Sequence, residues 1–173
     1  LVVLGILGIM IAIASVVTRN RIDQKLKGLL STVILALVAS NVFTLAYVIL
    51  LIVQPDKWYE PQYLIPLAGM LFGNAMNGAS LAGDRLLNSI QHNRLEIETH
   101  LSLGATAKQA ISSYQREAIR TGLIPTLNNM VVMGLVSLPG MLTGQVLGGS
   151  NPRDAASYQI LILFAIVLVN LMT

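Results

Sequence analysis

Met70, Asn74 and Asn77 fall at i, i+4 and i+7 inside one apolar run, and Asn128, Asn129, Met133 and Gln145 punctuate another. Amide oxygens and thioether sulfurs are neutral ligands that hold a passing cation only weakly. Polar groups in lipid need partners, so these side chains should face the interior of a bundle. Two uses remain open: hydrogen bonding between helices with methionine as packing filler, or a polar path for a solute. No Asp or Glu lies in these runs, so no metal site is assigned within them. The only histidines, His92 and His100, lie in the longest charged segment, where they are expected to be solvated or at a partner contact. The absence of cysteine excludes disulfides, iron–sulfur ligation and thiolate metal sites. No G-x-x-x-x-G-K-[ST] sequence occurs, so the chain has no phosphate cradle of its own. No catalytic residues are expected, and no cofactor bound by this chain.

The elements that must carry these residues are set by the solvent. The 173 residues are 54% hydrophobic and 11% charged, where an ordinary soluble domain is roughly 25% charged. A chain this apolar cannot cover its surface with polar groups, and the mean hydropathy of +0.70 agrees. The net charge of +3 does not indicate nucleic acid, because every charged residue falls within 18–28, 54–62, 83–121 or 150–157. A bilayer imposes that segregation, since a charge at its centre costs about 2.5–3.5 kcal/mol on the insertion scale. The expected fold is therefore all-α: a polytopic integral membrane helix bundle forming one transmembrane domain over 1–173.

A helix needs about 20 apolar residues to cross the hydrocarbon core. Five candidate spans follow: 1–17, 29–53, 63–82, 122–149 and 158–173. The chain opens inside one apolar run and stops inside another, so an internal part of a longer protein is expected, and the first run is not read as a cleaved signal peptide. Lysine and arginine accumulate on the cytoplasmic side. Arg19, Arg21, Lys25 and Lys27 lie in 18–28, and Arg85, Arg94, Lys108, Arg116 and Arg120 in 83–121, while the alternating loops hold only Lys57 and Arg153. This places 18–28 and 83–121 in the cytoplasm. Trp58, Tyr59 and Tyr63 then fall at the opposite interface, where aromatic rings favour the headgroups.

Segment 83–121 is where a soluble partner could bind. Leu86, Leu87, Ile90, Ile97 and Leu101 mark an apolar stripe at helical spacing, interrupted by Arg94. Gly104 can end that helix as a left-handed cap. Thr106-Ala-Lys-Gln109 reads as a capping box that starts a second amphipathic helix, through Ala110, Ile111, Tyr114, Ala118 and Ile119 to Gly122 and Pro125. An amphipathic hairpin lying on the membrane surface would show the same spacing.

"ETHLSLGATAKQAISSYQREAIRTGLIP" resembles the coupling segment of ABC-transporter permeases, in which a glutamate precedes a glycine by six residues, as Glu98 precedes Gly104. The importer form has two small residues after the glutamate, where this chain has Thr99 and His100. "IPLAGMLFGNAM", "LSLGAT" followed by "AIRTGLIPT", and above all "GLVSLPGMLTGQVL" resemble the Fet-type iron-export permease family, which includes plant relatives linked to aluminium tolerance. The resemblance runs from about residue 63 to the end. It implies an ABC permease in the plasma membrane (the inner membrane in bacteria), acting as a homodimer and exporting iron or a related metal. ATP and magnesium would be bound by a separate ATPase subunit, contacted through Glu98, Leu103, Gly104, Ala105, Thr106 and Gln109. Two other readings stand beside it: an ATP-independent channel or secondary transporter for a small polar solute or ion, and a mechanotransmitting permease that moves no solute.

Glycine supplies the last pattern. Gly69 and Gly73 lie four apart, as do Gly140, Gly144 and Gly148, a spacing that lets two membrane helices approach closely. Pro139 is placed deep within an apolar run; it frees the carbonyl of Leu135, so a kink or break near 135–139 is expected, with Ser137 or a neighbouring helix re-satisfying that carbonyl. Together these residues read as a packing and hinge element moved by the turn at 98–109.

Overall fold

Long apolar runs free of internal breakers leave the backbone one way to pair its polar groups in lipid, which is helix. The computed structural model describes residues 2–21, 27–54, 61–133 and 139–173. Among these, helices α1 (Val2–Arg21), α2 (Lys27–Tyr47), α3 (Pro61–His92), α4 (Arg94–Ser102), α5 (Ala107–Ala110), α6 (Ser112–Val132), α7 (Gly140–Leu147) and α8 (Pro152–Met172) follow in order, and α2 continues through a π-helical turn, Val48–Val53. Lys25, Lys57, Trp58, Tyr59, Leu135 and Ser137, on which parts of the expected topology and hinge rest, lie outside the described residues, as do the side chains of Arg19, Arg21, Lys27 and Tyr63.

Ser31–Val53 and Pro152–Met172 are each long and apolar enough to cross a bilayer, and each is only 33% buried within the chain. A core helix of that length in a water-soluble protein would be mostly covered. Here Leu35, Val42, Phe43, Ile160 and Phe164 stay exposed. The covered faces meet in two clusters. Val48, Ile49, Leu64, Leu67, Leu71, Ala75, Ile162, Ala165 and Val169 join the end of α2 to α3 and α8. Ala14, Leu37, Ala68 and Phe72 join α1, α2 and α3.

α3 packs most extensively on α6. Arg85 meets Glu117 and Gly78 meets Gly122, so the two helices run in opposite senses. Thr126 meets Asn170 and Met133 meets Gln159, so α6 also opposes α8. α3 and α8 therefore run the same way.

Two boundaries differ from those read in the sequence, and a third agrees. α3 does not stop near residue 82; it continues to His92, because nothing between 82 and 92 breaks a helix except one tolerated glycine. α6 runs through Gly122 and Pro125, which were expected at the start of a span. Gly122 is tolerated there because a neighbouring backbone occupies the space its side chain would fill. The run 122–149 is interrupted beside Pro139, as expected: α6 ends at Val132 and α7 begins at Gly140, with Pro139 in extended conformation (φ −60°, ψ 137°) at its N-terminus.

The α7–α8 hairpin is closed by local signals. Gly149 stands at φ +90°, with its N–H on the Val146 carbonyl and the Ser150 N–H on that of Gln145. Asn151 Oδ1 then accepts from the Arg153 N–H at 3.0 Å, and Pro152 opens α8.

An exposed turn and a polar flank

α4 ends in a Schellman arrangement: the Ala105 N–H bonds the His100 carbonyl and the Gly104 N–H bonds that of Leu101, both at 3.0 Å. Gly104 has φ +91°, a conformation that side chains with a β-carbon rarely adopt. Two residues on, the Gln109 N–H donates to Thr106 Oγ1 and the Thr106 N–H donates to Gln109 Oε1, the reciprocal pair that the sequence spacing implied. The backbone between the two helices is thus fixed by its own residues. It carries Leu103, 80% exposed, and Leu95 on α4 is as exposed. Glu98 is exposed and pairs with Arg94 at 2.7 Å, which raises the guanidinium pKa above its ordinary value.

One side-chain contact ties α4 to α6, and a second ties α6 to α3. The Tyr114 hydroxyl of α6 donates to Glu96 of α4 at 2.9 Å, and Arg85 of α3 pairs with Glu117 of α6. Desolvation, and then the bond to Glu96, hold the Tyr114 pKa above the usual tyrosine value.

Because α3 is one unbroken helix, the stripe begun by Met70, Asn74 and Asn77 continues at three- and four-residue steps through Leu81, Arg85 and Asn88 to His92. That is about 33 Å of helix. Tyr114, Glu117, Thr121, Pro125 and Asn128 form the matching stripe on α6. The two adjoin at the charged end, where both line one cleft. Of the expected path residues, Met70 and Asn74 are half-buried, and Asn74 Nδ2 donates to the Met70 carbonyl at 2.8 Å. Asn77, Asn128 and Asn129 are exposed.

Met133 and Gln145 do not join them. Met133 turns toward α8, with its sulfur 4.0 Å from Gln159 Nε2, and Gln145 lies on α7 with its Oε1 buried and unpartnered. Gln159 and Asn170 were missed in the sequence. Each is an amide in an otherwise apolar run, the same signal that singled out Asn74. Asn170 Nδ2 donates to Thr126 Oγ1 at 2.8 Å, while the oxygens of both amides are buried without a partner.

The glycine pattern is redistributed. Gly69 packs against Met10 of α1, but a β-carbon at Gly73, Gly140 or Gly144 would meet nothing among the described residues, and Gly148 serves the end of α7. Close helix approach falls instead on two glycines that the spacing did not single out. A β-carbon at Gly122 would lie 2.8 Å from the Gly78 carbonyl oxygen, and one at Gly78 would lie 2.6 Å from Asn170 Oδ1.

A protein-family profile described as "Uncharacterised protein family (UPF0014)" matches residues 1–173. The chain belongs to the UPF0014 family. Among UPF0014 relatives it is 60% identical over 168 residues to a membrane protein of Synechocystis, covering 97% of this chain and 65% of that one. It is 40% identical over 117 residues to the probable iron export permease protein FetB of Escherichia coli, covering 68% of this chain and 45% of FetB. It is 37% identical over 129 residues to the protein ALUMINUM SENSITIVE 3 of Arabidopsis thaliana, covering 75% and 46%. The chain thus spans about two thirds of the first relative and under half of the other two. No solved structure matches it. Membership in UPF0014 with such relatives makes this a helical membrane protein of the group that includes the Fet-type permeases.

Proposed function

We propose that this chain is the membrane-spanning part of an ABC-type permease that exports iron or a related metal, driven by ATP hydrolysis in a separate subunit. The observation that carries the reading is the turn Leu103–Thr106: fixed by a positive-φ glycine and a reciprocal capping box, apolar at its tip, and preceded by α4, which the Tyr114 hydroxyl ties to α6. Rigid, exposed and leucine-tipped, such a turn suits insertion into a cleft of another protein.

In this reading 18–28 and 83–121 are cytoplasmic, and the protein is multi-pass in the plasma or bacterial inner membrane. Five spans alternate in sense, which the opposite run of α6 to α3 and α8 supports. Glu98, Leu103, Gly104, Ala105, Thr106 and Gln109 form the ATPase contact, ATP and magnesium reside in that partner, and two permease copies work together. The metal is suggested by the E. coli relative, whose name specifies iron export. The polar flank supplies weak neutral donors along the solute's way, and Pro139, Gly140, Gly144 and Gly148 form the hinge.

Replacing residues 103–106 of the full-length protein by Gly-Ser-Gly-Ser should abolish co-purification with its ATPase subunit from native membranes while the protein still inserts. Undiminished co-purification would remove the turn from the coupling role.

A further inference from the structure

α6 has two opposed faces. Ala118, Gly122 and Thr126 follow at four-residue steps and are buried, Gly122 against α3 and Thr126 against α8. Small and hydroxyl side chains are what close helix packing in a membrane uses. About half a turn round the same helix lie Arg116, Arg120, Ile124, Leu127 and Val131, at steps of three and four residues that keep them on one side. All five are exposed.

The apolar part of this second stripe is branched side chains, with no small residue that would let another backbone approach. Its charged end is uncompensated. Among the described residues neither Arg116 nor Arg120 has an ion pair. Glu117, the carboxylate beside Arg116 in the chain, is engaged by Arg85 of α3. Two guanidiniums one turn apart are thus left facing outward. From Arg120 to Val131 is eleven residues, about 16 Å of helix, and half of the roughly 30 Å hydrocarbon core is about 15 Å. The stripe is one leaflet deep, basic at headgroup level and apolar down to the midplane.

We propose that this face of α6 binds an anionic phospholipid, its phosphodiester held between Arg116 and Arg120 and an acyl chain lying along Ile124, Leu127 and Val131. Guanidinium groups present paired N–H donors that match phosphate oxygens. A zwitterionic headgroup brings its own cation to the same place, so two adjacent arginines select a lipid of net negative charge. The inference needs only a helix that enters a bilayer, so it goes beyond the permease reading and stands or falls apart from it.

The test is a titration of the full-length protein, in neutral detergent, with dioleoyl phosphatidylglycerol, dioleoyl phosphatidylcholine or glycerol 3-phosphate, bound molecules being counted by native mass spectrometry. The parent should bind phosphatidylglycerol at least tenfold more tightly than phosphatidylcholine. The double variant Arg116→Gln/Arg120→Gln should bind it about thirtyfold more weakly, at about fivefold for each basic residue, with phosphatidylcholine binding unchanged. Arg153→Gln, an exposed position at the start of α8, should behave like the parent. Parent-like phosphatidylglycerol binding by the double variant would overturn the proposal. Equal weakening by Arg153→Gln would do so too, by reducing the effect to net charge, as would equally tight binding of glycerol 3-phosphate, which would make this a free-phosphate site. In phosphatidylglycerol bilayers, a bimane label on Leu127→Cys in an otherwise cysteine-free full-length protein should be quenched by lipids with brominated chains. Absence of quenching would mean that protein, another segment or a second copy, covers this face, and would also overturn the proposal.

Discussion

The Tyr114 hydroxyl reaches from α6 to Glu96 on α4, and Glu96 also faces His100 at 3.8 Å. The bond requires the neutral phenol. A raised tyrosine pKa therefore means a contribution that is fully present below the ordinary tyrosine value, about 10, and is lost as pH rises through the higher folded-state value. Thermal unfolding of the parent and of Tyr114→Phe across pH 8 to 12 should show the parent more stable at the lower end, with the two curves merging as the phenol ionises. A constant gap between them would mean that the bond to Glu96 contributes nothing. Residue-scale features such as Gly104 and the Thr106–Gln109 box were legible in the sequence because they are local: a left-handed cap and a capping box are completed within a few residues, whatever packs around them.

At the scale of elements, legibility depended on whether a neighbour was needed. The apolar runs located the helices, and Pro139 announced the interruption between α6 and α7 because a proline's effect on its own helix is local. The pattern could not show that α3 would run unbroken to His92, which places Arg85, Asn88 and His92 on the face begun by Met70. The four-residue glycine spacing named Gly69, which does pack on α1, together with Gly73 and Gly144, which face open space. The functional crossing is Gly78 on Gly122, glycines from different helices whose meeting no single-helix pattern encodes. Gly122→Leu should therefore force α3 and α6 apart and lower the thermal stability of the detergent-solubilised protein, at a cost of about 1–3 kcal/mol for overpacking. Gly144→Ala should be neutral or slightly stabilising within this chain, since a mid-helix glycine costs about 0.5–1 kcal/mol relative to alanine. Equal losses from the two substitutions would contradict this assignment of the crossing.

For the whole molecule, segregation of charge from apolar runs was enough to assign a helical membrane protein, and the wording of three short motifs was enough to assign the family. Gln159 and Asn170 now mark the helix against which α6 is held, through Met133 and Thr126. The picture that results is a lever. The helix α4 before the exposed turn is tied by Tyr114–Glu96 to α6, Arg85–Glu117 ties α6 to α3, these two cross at paired glycines, and α6 ends at Val132, ahead of α7.

The most direct test of this account is metal flux from proteoliposomes that contain the full-length protein, with and without its ATPase subunit and ATP. The account predicts Fe²⁺ movement only when the permease, the ATPase and ATP are all present, and its loss when residues 103–106 are replaced by Gly-Ser-Gly-Ser. Sustained Fe²⁺ flux through the permease alone, unaffected by ATP or by that replacement, would contradict it and identify a channel or secondary transporter instead.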